Sequence, residues 1–320
     1  MMEFCKTFTP ILQFNEDLPL NPGVVSDHAE IIAKTPYGDI ACWNISNPLH
    51  HHYFGMMDTY TFSKTHMYLD KEWIDHKTDL QISSIVDDLM SQKVVAYIIV
   101  EGYLHLYRKL ENILPKEEFG IFYDKDIPTL NPDDDKNLVN NTGIVVNLKV
   151  FNIKEFKLYS EIYEEGADVI KPGEIRKQRL FNIPVLFMEV GNDMIALGGV
   201  HIHGSNSRNP KTGLSLLTGI LYSIKNEGIK EIIFMGDFNT IPKNVGDALK
   251  LGGMSSPFRI TLTDYPTMVN PRSEVSFYDM VITYPDKLVT MESVEHTNLF
   301  TQELLESVCR SRTMYLMLSH

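Results

Sequence analysis

The sequence predicts an α/β fold in which packed, mixed β-sheets lie inside and helices lie outside. Strand-like and helix-like segments alternate along the whole 320-residue chain, and no linker rich in Gly, Ser or Pro separates them. Several strand candidates follow one another through turns, which indicates antiparallel as well as parallel pairing. We therefore expect residues 1–320 to form one large domain, although length alone suggests two, at about 150 residues each.

The predicted strands are apolar runs that end in polar or turn residues. Residues 94–102 are a continuous β-branched run, typical of a strand buried on both faces, and residues 230–242 predict a buried strand that runs into a polar turn. Residues 142–151 alternate like a half-buried strand, and Gly191-Asn192-Asp193 predicts a turn between two more strands. The other strand candidates are 40–47, 276–285 and 287–296.

Helices are predicted where apolar residues recur at near-helical spacing. Residues 77–92 and 214–228 show this pattern, and a third helical stretch lies near 301–309. Two polar, irregular segments, 48–76 and 124–141, are predicted to be surface loop insertions. They contain the runs His50-His51-His52 and Asp133-Asp134-Asp135, which we interpret as solvated segments without a site.

Charge and composition limit the function. The chain has 29 Lys and Arg against 42 Asp and Glu, a formal net charge of −13. A hydrophobic fraction of 43% is that of a globular protein with a core, which excludes a disordered or fibrous chain. The acidic balance argues against a general binder of the phosphate backbone. It still permits a nucleic-acid enzyme that carries a local basic rim.

The cysteines and the first residues bear on the compartment. Cys5, Cys42 and Cys309 form neither a disulfide framework nor a metal-ligand spacing, as expected in a reducing compartment. No secretory signal is visible, and no apolar run approaches the roughly 18 residues of a membrane span. We expect a cytoplasmic protein without a membrane span, and delivery into a host cell fits the same observations.

Polar residues recur at the ends of the apolar strands. Because a buried acid or imidazole is costly unless it is paired or bound to metal, their repetition indicates strand ends that converge on a polar pocket. Carboxylates, amides and imidazoles without thiolates favour a hard cation such as Mg²⁺. The residues are Asn44, Glu101, His201, His203, Asp237, Asn239, Asp279 and His320.

The strings WN, VEG, GVHIHG, GDFNTIP, SFYDMVI and LSH, in this order, resemble the endonuclease/exonuclease/phosphatase superfamily, which has the pancreatic deoxyribonuclease fold. The resemblance covers roughly residues 38–320. It implies a four-layer α/β sandwich, two mixed sheets packed face to face with outer helices. It also implies hydrolysis of a phosphate ester by in-line attack of water, with Mg²⁺ as cofactor and Mn²⁺ as a substitute.

The resemblance assigns a role to each matching residue. Glu101 matches the metal-binding Glu, with Val100 where the family usually has Gln, and Asn44 matches the Asn that supports the metal or the phosphate. Asp237 matches the residue that orients and deprotonates the attacking water. Asn239 matches the residue that helps to hold the water and the phosphate, and alternation places it on the same face of an extended chain as Asp237.

Three histidines complete the implied site. His201 matches the residue that donates to a phosphate oxygen, and His203, two residues further, lies on the same face as an additional substrate contact. Asp279 matches the Asp that orients the final histidine of the family, and His320 is expected to be that histidine.

The expected final motif is incomplete. The family has Ser-Asp-His, but Leu318-Ser319-His320 places Ser319 where the second metal-binding Asp is expected. We favour a chain cut from a longer protein, with a terminal strand missing. In the alternative, Glu295-His296 is a degenerate form of the motif.

The leading hypothesis is a Mg²⁺-dependent phosphodiesterase or nuclease, because GDFNTIPKNVG resembles the nuclease branch more than the 5-phosphatase branch. The alternatives are a phosphoinositide or sphingolipid phosphoesterase of the same fold, and a non-catalytic binding protein that has lost its metal site. Nucleic acid or a nucleotide-like ester is the favoured substrate, and the oligomeric state is not predicted. Expected cationic contacts, of which Arg179 is the principal one, are Lys171, Arg176, Lys177, Arg179, Arg208 and Lys211.

Overall fold

The computed structural model describes residues 26, 28–47, 71–126, 140–163, 179–202, 211–252, 258–264, 266–269, 275–285 and 289–294. The helices within these ranges are α1 (Lys71–Met90), α2 (Leu104–Ile113), α3 (Lys211–Asn226) and α4 (Pro242–Leu251). The strands are β1 (Glu30–Thr35), β2 (Gly38–Asn44), β3 (Ala96–Gly102), β4 (Phe119–Phe122), β5 (Asn141–Asn147), β6 (Asn152–Tyr163), β7 (Arg179–Val190), β8 (Asp193–His201), β9 (Glu231–Asp237), β10 (Arg259–Thr261), β11 (Met268–Val269), β12 (Val275–Ser276), β13 (Asp279–Tyr284) and β14 (Thr290–Val294).

Two six-stranded sheets form the centre of the described structure. The first has the order β14-β1-β2-β3-β5-β4, and the second has the order β10-β13-β9-β8-β7-β6. Both are mixed, because β2 with β3 and β8 with β9 are parallel while their other pairs are antiparallel. A small hairpin of β11 and β12 lies apart from both sheets.

Alternation along the strands fills three apolar layers. Ile98 of β3 points into the layer between the sheets, where it shares a cluster with Leu197 and Met235 of the second sheet. Tyr97 and Ile99 point the other way, toward α1 and α2. On the outer face of the second sheet, Phe234 and its neighbours pack against α3 and α4. The result is a helix–sheet–sheet–helix sandwich, which confirms the predicted fold class and explains why the central strands are apolar throughout.

The predicted elements that lie within the described residues are confirmed in type, but some boundaries were wrong. Helix α1 begins at Lys71, so residues 71–76 are helical, and the predicted loop covers too much of the chain. The start of this helix has no strong amphipathic pattern, which is why the periodicity signal began late. Strand β5 likewise begins at Asn141, the last residue of the predicted loop 124–141.

Some predictions fall outside the described residues. These are the helix near 301–309, the histidine and aspartate runs, the alternative motif at 295–296, and the placement of His203 and His320. Among the described helices, none combines the length and the apolar character that crossing a membrane requires.

Candidate active site

The polar strand ends converge at one edge of the two packed sheets. Because β2 and β3 run parallel, Asn44 and Glu101 lie at the same end of the first sheet. In the second sheet, His201 and Asp279 are the register partners of Asp237 on its two neighbouring strands. The convergence predicted from the sequence is therefore present, and it joins residues of both sheets.

Asp237 lies at the centre of the hydrogen-bond network. Asn44 Nδ2 donates to its Oδ2 at 3.0 Å, so one hydrogen bond connects the two sheets. The backbone N–H of Asn239 donates to Oδ1 at 2.7 Å, and Asn239 Nδ2 donates to Oδ2 at 2.9 Å. A carboxylate offers about four acceptor positions, so three donated bonds leave room for a water or a substrate atom.

The close packing around Asp237 depends on the preceding glycine. Gly236 has a φ of 155°, and a Cβ at this position would lie 1.9 Å from the carbonyl oxygen of Val200 in the neighbouring strand. Only glycine lets the two parallel strands approach here. The glycine of the Gly-Asp-Phe-Asn string therefore has a steric role, beside the hydrogen-bonding roles of its Asp and Asn.

Burial gives Asp237 an unusual proton affinity. Its side chain is 1% exposed, and this desolvation raises its pKa from the ordinary 3.8 to about 6. The negative charge of Asp279 adds to the increase, whereas the nearby imidazoles of His28 and His201 oppose it. Asp237 is thus a stronger base than an ordinary aspartate near neutral pH.

A histidine that was not predicted from the sequence pairs with Asp279. His28 Nδ1 lies 2.8 Å from Asp279 Oδ2, and the two side chains are 5% and 2% exposed. The opposite ring nitrogen, Nε2, lies 3.8 Å from Asp237 Oδ2 and 3.5 Å from Asn44 Nδ2. Because the Asp279 carboxylate accepts a hydrogen bond from Nδ1–H, it sets the orientation of the ring and turns Nε2 toward Asp237.

The backbone around His28 is held on both sides. Ser26 Oγ accepts the His28 backbone N–H at 3.0 Å and donates to the Asn44 carbonyl oxygen at 2.5 Å. Trp43 Nε1 donates to the His28 carbonyl oxygen at 3.0 Å. These bonds fix the start of β1 against the end of β2.

Thr267 ties the two members of the histidine–aspartate pair together. Its carbonyl oxygen accepts the N–H of Ala29 at 2.7 Å, and its hydroxyl accepts the N–H of Asp279 at 3.3 Å. Residue 268 also forms an isolated bridge with His28. One threonine therefore sets the separation of the imidazole and its carboxylate.

The sequence contains a signal for His28 that was missed. Ser26-Asp27-His28 is an intact copy of the Ser-Asp-His motif, and it stands directly before the strand β1. We expected this motif after the other motifs, where only Leu318-Ser319-His320 was found. In the described structure it precedes them, and β1 joins the first sheet beside β2. The placement of Asp27 itself is outside the described residues.

Glu101 and His201 form a second pair across the two sheets. Their Oε1 and Nε2 atoms are 3.3 Å apart, with side-chain exposures of 12% and 7%. The backbone N–H of Asn47 donates to the other oxygen of Glu101 at 3.1 Å. The pair connects the end of β3 to the end of β8, as Asn44 and Asp237 connect β2 to β9.

Three residues at this edge adopt the left-handed backbone conformation that side chains usually avoid. Ser46, Glu101 and Asn239 have φ values of 50°, 57° and 46°. Each costs about 1–3 kcal/mol and persists only where the surroundings impose it. Strain concentrated beside a cluster of polar side chains is typical of functional sites.

Among the described residues, the donor set fits a Mg²⁺ ion that takes few of its ligands from the protein. Across the described ranges, no group of three or more His, Cys, Asp and Glu side chains is arranged to hold a metal ion. Mg²⁺ usually takes one or two carboxylates and completes its shell with water and substrate oxygens. Glu101, a partly accessible carboxylate with an amide-bearing neighbour in Asn44, fits that pattern of oxygen ligands.

The remaining predicted contact is only partly defined. Arg179 begins β7, which is antiparallel to β8, so its backbone lies toward the end of the second sheet where His201 lies. Its side chain is outside the described part of the structure. The structure thus unites Asn44, Glu101, His201, Asp237, Asn239 and Asp279, and it adds His28 to them.

The raised pKa of Asp237 predicts a pH dependence of folding. The folded protein holds this proton up to about pH 6, whereas an unfolded aspartate releases it near 3.8. The group therefore contributes stability that is full below pH 3.8 and is lost as pH rises through about 6. The loss is up to about 3 kcal/mol, from about 1.4 kcal/mol per pKa unit.

Urea unfolding of the metal-free protein in EDTA, between pH 4 and 7, measures this effect. The wild type should lose more stability over that interval than Asp237→Ala, which lacks the group. Parallel curves for the two proteins would show that Asp237 keeps an ordinary pKa.

Comparison with known proteins supports the fold. No protein-family model matches the sequence, and no curated protein matches it in sequence. A mannosyl-6-phosphatase of Bacteroides thetaiotaomicron superposes with a TM-score of 0.52 at 12% identity, over 81% of this chain and 95% of that one. The human Nocturnin catalytic domain gives 0.49 at 11% identity, over 76% and 80%. A humanized D. rerio TDP2 gives 0.48 at 12% identity, over 81% and 84%.

These identities speak to the fold alone. The two packed sheets with their outer helices form the α/β sandwich that the sequence resemblance implied, and the mannosyl-6-phosphatase shares this fold.

Proposed function

We propose that this protein is a Mg²⁺-dependent phosphoester hydrolase that acts by in-line attack of water, with a phosphodiester as the favoured substrate. The observation that carries the proposal is the buried chain of contacts from Asp279 through His28 and Asp237 to Asn44. It places a base, a proton-bearing imidazole and amide donors within one site. Burying that many ionisable groups is costly unless a function or a ligand requires them.

Asp237 is the proposed general base. Its Oδ1 accepts the Asn239 N–H and has a second lone pair, with which it can accept a proton from a water. Asn44 and Asn239 hold its other oxygen and thereby fix the plane of the carboxylate. A fixed carboxylate orients the water toward phosphorus before the reaction begins.

His28 is the proposed phosphate-binding imidazole. Asp279 accepts a hydrogen bond from Nδ1, which favours the protonated ring and directs Nε2 into the site. A donor aimed at the phosphoryl oxygens stabilises the charge that develops on them in the transition state. His201 is the proposed donor to a second phosphate oxygen, through an Nε2 that lies 3.3 Å from Glu101 Oε1 and would exchange this partner for the phosphate.

The charge balance of the site supports a divalent cation. Three carboxylates, those of Glu101, Asp237 and Asp279, lie among two imidazoles, so an anionic phosphate would meet a net negative site. When bound, Mg²⁺ neutralises phosphate charge and acts as a Lewis acid. Glu101 would hold it with support from Asn44, and Mn²⁺ is expected to replace it.

Two features of the sequence bear on the class of substrate. Nucleic acid or a nucleotide-like ester is favoured by the nuclease-like sequence after Asp237, with Arg179 as a proposed contact. The net charge of −13 favours a small phosphate ester instead, because a long polyanion would be repelled away from a local basic rim. Phosphomonoester hydrolysis is therefore the second candidate.

Hydrolysis of bis-p-nitrophenyl phosphate and of p-nitrophenyl phosphate, with Mg²⁺ or with EDTA, tests both candidates. Faster turnover of the diester that requires the metal supports the proposal, and faster turnover of the monoester supports the second candidate. Absence of turnover of either ester with Mg²⁺ or Mn²⁺ would contradict a hydrolase and favour a binding protein.

Glu101→Gln should weaken Mg²⁺ binding, since the amide keeps the size of the side chain but removes the charge. We expect the dissociation constant, measured by calorimetry, to rise by about 10–100-fold. Glu111→Gln is the matched control, because Glu111 pairs with Lys125 on the exposed side of α2. Equal Mg²⁺ affinity in the wild type and Glu101→Gln would remove Glu101 from the metal site.

A further inference from the structure

Helix α1 contacts the two segments that carry Asn44 and Glu101. Lys77 and Gln81 lie one helical turn apart and are 3% and 0% exposed. Lys77 Nζ donates to the carbonyl oxygen of Ser46, and Gln81 Nε2 donates to that of Ile45 at 2.5 Å. Both bonds reach the segment that directly follows β2.

The same helix face also holds the segment after β3. The hydroxyl of Tyr103 donates to Gln81 Oε1 at 3.0 Å and lies 2.6 Å from Thr78 Oγ1. Tyr103 follows Glu101 by two residues and is fully buried. Gln81 is therefore shared between the two segments, through its amide nitrogen on one side and its amide oxygen on the other.

These bonds act on residues that face the site. Ser46 has a φ of 50°, and its N–H donates to Asn44 Oδ1 at 3.0 Å. This bond turns Asn44 Nδ2 toward Asp237, because the two ends of the amide point in opposite directions. Next along the chain, the N–H of Asn47 donates to Glu101 Oε2 at 3.1 Å. The strained turn at residue 46 thus sets both the Asn44 amide and one oxygen of Glu101.

We propose that Lys77, Gln81 and Tyr103, here called the clamp residues, are positioning residues that hold this turn in its strained conformation. They do not touch the reacting atoms. They act through Ser46 and Asn47 on Asn44 and Glu101, and their catalytic effect rests on the function proposed above. The rest of this face of α1 packs against the first sheet through apolar contacts. Apolar side chains could therefore have attached the helix to the sheet without the cost of burying polar groups.

Gln81→Met and Tyr103→Phe test the clamp, since each keeps the side-chain volume and removes hydrogen bonds. Ser84→Ala is the control, because the Ser84 hydroxyl donates to the carbonyl oxygen of Leu80 within the same helix. The readouts are hydrogen exchange at the Ser46 and Asn47 amides in EDTA, the Mg²⁺ dissociation constant, and kcat and KM for bis-p-nitrophenyl phosphate.

We expect faster exchange at both amides in the clamp variants. Mg²⁺ affinity and kcat should each fall by about 10–100-fold, with little change in KM, as is typical when outer-shell support is removed. Ser84→Ala should match the wild type. Clamp variants that lose only melting temperature, with wild-type exchange at Asn47 and wild-type Mg²⁺ affinity, would overturn the proposal. If the wild type hydrolyses nothing, the proposed function fails, while amide exchange still decides the positioning role.

Discussion

His28→Ala should reduce kcat for phosphoester hydrolysis by about 10²–10³-fold, the usual cost of removing one donor to developing charge. The expectation follows from the 2.8 Å contact with Asp279 and from the orientation of Nε2 toward Asp237. Initial rates with saturating Mg²⁺ and bis-p-nitrophenyl phosphate measure it. KM should change less than kcat, because the interaction strengthens in the transition state.

Two other histidines provide the controls. His105 also lies 2.8 Å from a carboxylate, that of Asp75, but this partly exposed pair joins the outer helices α1 and α2, and His105→Ala should leave the rate unchanged. His320→Ala should have little effect if His28 supplies the imidazole that pairs with Asp279. If His320→Ala is inactive and His28→Ala is active, the imidazole comes from His320, as first expected from the motif at residues 318–320.

A double variant separates His28 from a merely structural role. Because His28 and Asp279 act as one unit, His28→Ala combined with Asp279→Asn should be little slower than the worse single variant. Additive losses would show that the two residues act independently.

Asp237→Asn should lower kcat by about 10²–10⁴-fold, the contribution expected of a positioned general base. The amide cannot accept a proton from water at neutral pH, and its nitrogen would face the N–H groups that Asn44 and Asn239 now donate. The rate should be measured beside circular dichroism and Mg²⁺ calorimetry, so that lost chemistry is distinguished from lost folding.

Asp247→Asn is the matched control for Asp237→Asn. Asp247 pairs with Lys243, one helical turn away, on the exposed surface of α4. It should retain the wild-type rate. A folded Asp237→Asn protein with near wild-type kcat would rule out Asp237 as the base.

Much of the site was predictable because strand ends are local features. Apolar runs that stop at Asn44, Glu101, His201 and Asp237 are visible in the sequence, and parallel strands bring their ends to one edge. The sequence did not predict which strand end lies against which. The bonds between Asn44 and Asp237 and between Glu101 and His201 exist because two separate sheets pack face to face.

His28 shows most clearly which part of the site could not be predicted from the sequence. Its motif is legible in the sequence at 26–28, but its partner Asp279 is 251 residues away along the chain. Only the pairing of β1 with β2, and the contact of Ala29 with Thr267, bring the two together. The order of the motifs led us to expect this histidine at residue 320, which lies outside the described residues.

The sequence by itself determined the α/β class, the buried strands and the polar residues that end them. Periodicity and strand ends are properties of consecutive residues, so they can be recognised without a structure. The tertiary structure decided the partners, the raised pKa of Asp237 and the strained turn at Ser46. Each of these depends on burial and on groups far apart in the chain, which only packing brings within hydrogen-bonding distance.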